Sequence, residues 1–447
     1  MTARSPISTA SLSLPYGEVC LAVEPKGPAV ALGARPTPPV ADVLSAVREA
    51  ILCPVESAPL EQMARGARSV VVVLADATRR LPQGPMLEAA LEALEGREVT
   101  LLVGGGLHGP SPLDAMGLPE EILRRLPIHQ HDGRDRRSLV DMGLLGSPPG
   151  LDLSWVASQV GLGLKDAWRR PTARGLTGRL SRGLLAIRAA AANRLSINRL
   201  CAEADLIVAL GQITPHFLTG YSGGIKAVVP GAAGRSTIVG NHLKILHASA
   251  RAGLVEGNVV RAELEEAVSL LPPIFIINVV PAADGRPASF VAGHPVGAHR
   301  AGVELARSIY EVETPRAEAV IVGASHPRTI NLFQLLKVLP AAARVVKPGG
   351  GICVAGPCPA GLGAKTLLRQ ILFPCYMDAL LPPGVELTLL SGVPPRVAAA
   401  ATPFRPVASL DEAVGRLRSR AGPEGLLAVM DGSGPIVPLT DGLRPEG

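Results

Sequence analysis

Residues 214–242 hold the side chains of this chain that are best suited to chemistry. They read TPHFLTGYSGGIKAVVPGAAGRSTIVGNH, with His216, Lys226 and His242 among closely spaced glycines. Glycine lets the backbone approach a ligand closely, a lysine in such a loop can bind phosphate or act as a nucleophile, and histidine can bind a metal or move a proton. The segment therefore predicts a binding site for phosphate, for a metal, or for both.

The glycines before the lysine are Gly223 and Gly224. A Walker A phosphate loop needs Ser or Thr directly after its Gly-Lys pair, whereas Lys226 lies between Ile225 and Ala227, so that motif is excluded. The backbone N–H groups of the loop can still cradle a phosphate.

A second polar segment, ADATRR, follows a predicted strand at residues 75–80 and contains Asp76 and Arg79. At the carboxyl end of a strand these two side chains can hold a hydroxyl group and an anion together. A surface turn, in which Asp76 or Thr78 caps the next helix, is the alternative.

A third segment, GGGLHG at residues 104–109, fits the GxGxxG dinucleotide fingerprint. Asp132 even lies at about the distance expected of a ribose-binding acid. Two prolines follow the last glycine, however, where the fingerprint needs a helix to begin, so the context argues against NAD binding. His108 is the more unusual residue of this loop, and with His216 and His242 it indicates a functional site.

Residues 331–337, NLFQLLK, place Gln334 and Lys337 on one face of a predicted helix. An amide and an ammonium there can hold a carboxylate. Taken alone, this element favours an ordinary surface pair.

The hydrophobic pattern alternates short β-branched runs with amphipathic helices, which predicts an α/β fold with mostly parallel sheets flanked by helices. Ligands of such sheets bind beyond the carboxyl ends of the strands. The predicted strands are 69–74, 99–103, 205–210, 319–322, 351–354, 385–390 and 426–430, and the predicted helices include 85–94 and 119–126.

A length of 447 residues favours two domains. We expect an N-terminal α/β domain at 1–285 and a C-terminal α/β domain at 286–447, since a stretch rich in Gly and Pro without periodicity lies near 280–300. The active site is expected in the cleft between them.

Residues 160–199 form a predicted basic helical insertion in the first domain. A nucleic-acid or membrane-surface helix is one interpretation, but no aromatic ladder or nucleic-acid motif accompanies the arginines. We favour a solvated insertion and expect no nucleic-acid partner. The arginines are Arg169, Arg170, Arg174, Arg179, Arg182, Arg188, Arg194 and Arg199.

The chain is 47% hydrophobic and 18% charged, a composition typical of a globular enzyme. It has no apolar run long enough to span a bilayer and no signal-peptide h-region, which predicts a cytoplasmic protein. The six cysteines lack metal-site spacing, so scattered reduced thiols are expected.

In combination the motifs resemble those of the nickel-pincer lactate racemase family. The resemblance covers nearly the whole chain and depends most on the long SGGxK segment with its flanking histidines. The motifs are LPYG at 14–17, ADATR at 75–79, GLH at 106–108, PHFLTGYSGGIKAVVPG at 215–231, NH at 241–242, FQLLK at 333–337 and the AGPCPAGLG loop.

This resemblance implies a cofactor, a pyridinium-3,5-bisthiocarboxylic-acid mononucleotide whose two sulfur arms hold nickel in a planar S–C–S pincer. By matching motif, His242 would bind the nickel and Lys226 would tether the cofactor through a thioamide. Asp76, Gly223 and Gly224 would contact the cofactor. Nickel favours a square-planar field, which suits a three-point pincer and one imidazole.

The resemblance further implies an isomerase, a racemase or epimerase of a 2-hydroxy acid that works by proton-coupled hydride transfer through a 2-keto acid. His108 and His216 would transfer protons. Arg79, Gln334 and Lys337 would hold the substrate carboxylate. The implied partners are the 2-hydroxy acid and the cofactor-synthesis enzymes.

Two alternatives remain at this point: an NAD-linked 2-hydroxy acid oxidoreductase built on GGGLHG, and a non-catalytic metal- or nucleotide-binding relative. The chain also departs from the family pattern, because Gly109 follows His108 where arginine is common. The sequence does not distinguish among lactate, malate, aryl-lactate and sugar acids as substrates, and it leaves the oligomeric state open.

Overall fold

The computed structural model describes residues 7–79, 81–146, 192–363 and 380–442. The chain forms two compact units. The central unit is Pro36–Ser308, and the terminal unit combines Met1–Arg35 with Ile309–Gly447. Each unit is described by itself below.

The strands in chain order are β1 (Leu12–Gly17), β2 (Val19–Val23), β3 (Ala29–Leu32), β4 (Ser69–Ala75), β5 (Glu98–Gly104), β6 (Ile128–Gln130), β7 (Leu139–Leu145), β8 (Asn193–Asn198), β9 (Leu206–Gln212), β10 (Pro215–His216), β11 (Gly220–Tyr221), β12 (Ile274–Pro281), β13 (Pro287–Gly293), β14 (Glu311–Glu313), β15 (Ala317–Ser325), β16 (Val346–Gly356), β17 (Glu386–Ser391), β18 (Arg405–Pro406), β19 (Leu427–Asp431) and β20 (Val437–Leu439).

The α-helices in chain order are α1 (Val43–Leu52), α2 (Leu60–Ala64), α3 (Gln83–Ala93), α4 (Glu120–Arg125), α5 (Arg199–Glu203), α6 (Arg235–Leu243), α7 (Val259–Glu266), α8 (Gly297–Tyr310), α9 (Leu332–Leu335), α10 (Leu339–Val345), α11 (Pro395–Ala401) and α12 (Leu410–Ala421). Within the part of the chain that the structure describes, none of the helices is long and apolar enough to cross a membrane.

The sheet of the central unit has the strand order β13-β12-β9-β4-β5-β6. Its neighbours pair in parallel, except for the antiparallel β12–β13 pair. Strand β4 shows why the sheet is covered on both faces, because its side chains alternate between two cores. Val72 packs in the core that includes Leu87 of α3, and Val73 packs in the core that includes Val228 of the loop after β11.

The sheet of the terminal unit contains the path β18-β17-β16-β15-β1-β2, and β19 pairs with both β15 and β3. The pairs β15–β16, β16–β17, β17–β18, β15–β19 and β19–β3 are parallel, whereas β1 and β2 pair antiparallel to each other. Helix α12 packs on this sheet through Ala413, Val414 and Leu417. Both units therefore have mostly parallel sheets flanked by helices, and the predicted α/β class is confirmed.

The units differ from the domains expected at 1–285 and 286–447. Strand β13 begins at Pro287 but pairs with β12, so it completes the central sheet. Strands β1 and β3 pair with β15 and β19 of the terminal unit. The Gly/Pro-rich stretch near residue 285 is thus a hairpin and not a boundary.

Most of the predicted basic insertion at 160–199 lies outside the described residues. The described part is regular structure, since Asn193–Asn198 is strand β8, which pairs with β7, and Arg199 begins α5. The insertion was expected to reach residue 199, but main-chain pairing with β7 fixes Asn193–Asn198 as a strand of the central unit.

Candidate active site in the central unit

The carboxyl end of β4 positions Asp76, and the carboxyl end of the adjacent strand β5 positions His108. Nδ1 of His108 lies 2.9 Å from Oδ2 of Asp76. Oδ1 of Asp76 accepts hydrogen bonds from the backbone N–H of Thr78, at 2.8 Å, and from its hydroxyl. The Asp76 side chain is 7% exposed and that of His108 is 50% exposed, so a buried carboxylate orients an accessible imidazole.

The electrostatics of this pair keep Asp76 ionised. Burial alone would raise the pKa of Asp76, but hydrogen bonds from His108 and Thr78 and the charge of Arg79 outweigh it and lower the pKa to about 2. Arg79 itself is exposed, and its backbone N–H donates to the carbonyl of Asp76 at 3.0 Å. The predicted Asp76 and Arg79 motif is therefore also a tight turn.

Glycines of the GGGLHG loop let another loop pack against it. A Cβ on Gly104 would lie 2.8 Å from the carbonyl oxygen of Ala227, and the N–H of Gly106 donates to Gly231 at 2.8 Å. After this loop the chain makes a 3₁₀ turn at Leu113–Met116, and the first α-helix, α4, begins only at Glu120. The glycines thus serve loop packing and lack the helix that a dinucleotide fingerprint requires.

The carboxyl end of β9, on the other side of β4, positions His216 and Lys226. Nζ of Lys226 lies 3.1 Å from Nε2 of His216 and 3.3 Å from Oγ1 of Thr219. The short hairpin of β10 and β11 returns the chain so that Lys226, in a 3₁₀ turn at Gly224–Ala227, faces His216. The structure therefore brings this predicted acid–base residue and the predicted tether into contact.

Buried polar residues form hydrogen bonds to the backbone of the SGG turn, Ser222–Gly224. Oδ1 of Asn278 accepts from the N–H of Gly224 at 2.7 Å, and His299 donates from Nε2 to the carbonyl of Ser222 at 3.0 Å. A Cβ on Gly223 would lie 2.6 Å from Oδ1 of Asn278, so glycine is required there. Among the described residues, Nδ2 of Asn278 and Nδ1 of His299 are buried and have no hydrogen-bond partner.

Burial lowers the pKa of His299 well below its ordinary value, and the nearby Arg261 guanidinium lowers it further. His299 is fully buried and therefore neutral. Asn278, His299 and Arg261 come from distant parts of the chain, and no sequence signal singled them out. Thr219, by contrast, lies inside the PHFLTGYSGGIK motif and could have been selected from it.

Helix α6 positions His242 in its last turn. Nδ1 of His242 donates to the carbonyl of Ile238 at 2.8 Å, one turn earlier. The side chain of Ile238 packs against Gly106, since a Cβ there would lie 3.6 Å from its Cδ1. The helix that carries the predicted nickel ligand thus rests on the loop that carries His108.

Glu263 of α7 anchors the same helix. Its buried carboxylate accepts from Nδ2 of Asn241 at 2.8 Å and lies 3.0 Å from Nζ of Lys244. These two residues flank His242 in sequence. A buried ion pair with additional hydrogen bonds fixes the end of the helix.

Gln334 and Lys337 belong to the terminal unit. Gln334 lies in α9, where its N–H donates to Oδ1 of the capping residue Asn331 at 3.0 Å. Nζ of Lys337 lies 5.6 Å from the centre of the Phe333 ring, a cation–π contact. Both side chains are half-buried. Their assignment to the substrate carboxylate stays a prediction.

The described residues contain no group of three or more His, Cys, Asp or Glu side chains that could hold a metal by themselves. Burial raises the pKa of Cys353 to about 11 and that of Cys358 to about 12, so both stay thiols. Cys375 lies outside the described residues. The assignment of His242 as the metal ligand stays a prediction.

Fold and site together define a class, an α/β protein with histidines after the carboxyl ends of two parallel strands, β5 and β9, on either side of β4. Residues 16–154 and 188–253 match the family model of the lactate racemase N-terminal domain. Over these residues the chain is similar to that domain, and the resemblance predicted from the motifs is confirmed.

Two relatives extend the comparison. The lactate racemase of Thermoanaerobacterium thermosaccharolyticum is 27% identical over 332 residues, which cover 72% of this chain and 68% of the relative. The lactate racemase of Lactiplantibacillus plantarum is 27% identical over 327 residues, covering 71% and 67%.

Solved structures show the same fold. The lactate racemase apoprotein of Thermoanaerobacterium thermosaccharolyticum superposes with a TM-score of 0.77 at 24% identity and covers 96% of this chain and 100% of that one. A Thermotoga maritima protein superposes with a TM-score of 0.57 at 16% identity, covering 89% and 98%. The α/β architecture is thus shared, whereas the roles of individual site residues are proposals.

Proposed function

We propose that the chain is a racemase or epimerase of a 2-hydroxy acid, with lactate as the first substrate to test. The observation that carries this proposal is the Asp76–His108 pair, because it combines a buried carboxylate with an accessible imidazole. The pair lies within the residues that match the lactate racemase N-terminal domain.

The pair is arranged to accept a proton. Asp76 is a carboxylate at neutral pH, so the proton of their hydrogen bond is on Nδ1 of His108 and the lone pair of the neutral ring is on Nε2. Asp76 also stabilises the imidazolium that forms when Nε2 takes a proton. His108 therefore suits the removal of the hydroxyl proton of a 2-hydroxy acid.

Inversion at Cα requires its hydrogen to leave and return. That hydrogen is weakly acidic, so it leaves more easily as hydride while the hydroxyl proton moves to a base, and a planar 2-keto acid forms. His216 is proposed as the second proton-transfer group, which would serve the opposite enantiomer. Arg79 is proposed to orient the carboxylate, and orientation lowers the barrier to the reaction.

The residues present fit the nickel-pincer nucleotide that the resemblance implies. Because Nδ1 of His242 donates to Ile238, the lone pair of its neutral ring is on Nε2, the form in which imidazole binds a metal. Lys226 supplies a primary amine for a thioamide. Gly223 and Gly224 pack against Asn278 and His299, so a contact of these glycines with the cofactor would come from their backbone. When bound, this group supplies the acceptor for the Cα hydride.

The test uses protein produced together with the cofactor-synthesis enzymes. Either enantiomer of lactate is expected to become a racemic mixture, measured by chiral chromatography, and added NAD is expected to leave the rate unchanged. His108→Ala and His216→Ala are expected to abolish turnover while nickel, measured by elemental analysis, stays bound.

The substrate is identified with a panel of chiral malate, aryl-lactate and sugar acids. Nickel-loaded protein that racemises none of these acids would contradict the proposal. Protein that acquires neither nickel nor a pincer chromophore under these conditions would contradict it as well.

A further inference from the structure

Thr219 is a buried residue, 1% exposed, whose polar groups all have partners. Its N–H donates to Nδ1 of His216 at 3.3 Å, and its hydroxyl donates to the carbonyl of Tyr221 at 2.8 Å. The hydroxyl oxygen also lies 3.3 Å from Nζ of Lys226, and the carbonyl accepts from Nε of Arg261 at 3.5 Å. One residue thus contacts both the proposed proton-transfer group, through its backbone N–H, and the proposed tether, through its hydroxyl.

The direction of these hydrogen bonds sets the proton positions. Nδ1 of His216 also accepts from the N–H of Leu218 at 3.2 Å, so its lone pair is occupied and the proton of the neutral ring is on Nε2. Nε2–H points to Nζ of Lys226, 3.1 Å away, which must then accept. Nζ in turn donates to Thr219, whose own hydrogen is directed to Tyr221.

Arg261 forms hydrogen bonds to the turn that contains Thr219. Its guanidinium is 1% exposed and also donates to the carbonyl of Tyr221. Asn258 adds a hydrogen bond to the carbonyl of Leu218 at 3.1 Å. The turn is therefore fixed by buried partners on α7 and immediately before it, which leaves little freedom to the N–H groups that face His216.

We propose that Thr219 is a positioning residue that sets the tautomer of His216 through its N–H and holds the Lys226 amine beside Nε2 through its hydroxyl. Nζ of Lys226 is thereby held against His216, and its unprotonated form is the nucleophile that attachment of an acyl or thioacyl group requires. The roles of His216 and Lys226 rest on the proposed function, whereas the arrangement itself, in the chain without cofactor, does not. The Nε2 proton must pass to another group before His216 can accept one from a substrate.

The experiment uses the full chain without cofactor, labelled with ¹⁵N-histidine. The His216 signals are assigned from their loss in His216→Gln. Two-bond ¹H–¹⁵N correlations are expected to show His216 protonated on Nε2 with an unprotonated Nδ1. The opposite tautomer would overturn the proposal.

Variants then test the hydroxyl. Lys226→Met removes the amine and is expected to shift the Nε2 signal. Thr219→Val keeps the volume without the hydroxyl and is expected to move that signal to its Lys226→Met position, whereas Thr219→Ser is expected to keep the wild-type position. A Thr219→Val signal at the wild-type position, or a Lys226→Met signal that does not move, would overturn the proposal.

Folding is checked by thermal melting. If Thr219→Val does not fold, Thr219→Ala removes the same hydroxyl with a smaller side chain. The position of the Nε2 signal is then measured in that variant. Turnover is not measured in any arm, so a failure of the proposed racemase activity and a failure of this arrangement give different results.

Discussion

His108 and Asp76 join two adjacent strands of the central sheet through one hydrogen bond of 2.9 Å between Nδ1 and Oδ2. Asp76 follows β4 and His108 follows β5, so the parallel pairing of these strands sets the position of both residues. A pair built in this way depends on the carboxylate charge, because the charge both orients the imidazole and stabilises its protonated form.

Asp76→Asn is therefore expected to lower kcat by about 100-fold or more, in line with the loss of an effective general base. The amide cannot stabilise imidazolium as a carboxylate does. Racemisation of lactate by the nickel-loaded variant, followed by chiral chromatography, measures the effect.

The matched control for that variant is Asp132→Asn. Asp132 is exposed, and its Oδ1 lies 3.6 Å from the Arg134 guanidinium. Its change is expected to leave kcat within about two-fold, as for surface substitutions generally. Equal losses in both variants would argue that the Asp76–His108 pair has no special role.

Lys226→Ala is expected to abolish the covalent adduct while leaving the fold intact. Its amine, which contacts His216, is the proposed nucleophile, and an alanine side chain cannot form a thioamide. Intact mass spectrometry of protein produced with the cofactor-synthesis enzymes measures the adduct. Lys347→Ala, in the terminal unit, is the control and should keep the adduct; an unchanged adduct in Lys226→Ala would refute the tether.

Gly104→Ala is expected to destabilise the protein by about 1–3 kcal/mol, the usual cost of overpacking. The new Cβ would lie 2.8 Å from the carbonyl oxygen of Ala227 and would displace the loop that carries Lys226. Gly109→Ala is the control, since a Cβ there meets nothing within 4 Å. Thermal melting compares the two, and equal melting temperatures would contradict the packing described.

His299 is expected to make the central unit sensitive to mild acid. Its pKa in the folded state is well below the ordinary value of 6.5 because the ring is buried beside Arg261 and Arg300. The folded state therefore binds fewer protons than the unfolded state, and the stabilising contribution of the neutral ring is complete above about pH 6.5 and is lost as pH falls below it.

The variant His299→Gln can keep the hydrogen bond to Ser222 without a titrating group. Melting temperatures at about pH 7.5 and about pH 5.5 are expected to differ less in this variant than in the wild type. The same difference in both proteins would mean that His299 does not control this acid response.

The hydrophobic pattern predicted the core strands well. A strand predicted at 69–74 is observed at Ser69–Ala75, because strands buried on both faces are continuous apolar runs that the sequence reveals directly. The pattern did not predict β13, since Pro287–Gly293 mixes small and polar residues and depends on pairing with β12. Pairing partners far apart in sequence leave no local signal, which is also why β1 and β3 were expected in the wrong unit.

The sequence likewise predicted some residues of the candidate site and not others. His108 and His216 were selectable because loops after predicted strands meet at one edge of a parallel sheet. Asn278 and His299 could not be selected from the sequence, because they act through tertiary contacts to backbone groups of the SGG turn. A buried asparagine or histidine of this kind looks, in sequence, like any other polar residue of a strand or helix.

The pairing of β3 with β19 has a consequence for synthesis on the ribosome. Strand β3 leaves the exit tunnel early, but its partner is translated only near residue 430, after the whole of Pro36–Ser308. Strand β3 therefore lacks its partner β19 while the middle of the chain is synthesised and can fold. Truncation before β19 would make that exposure permanent and leave an edge that favours aggregation.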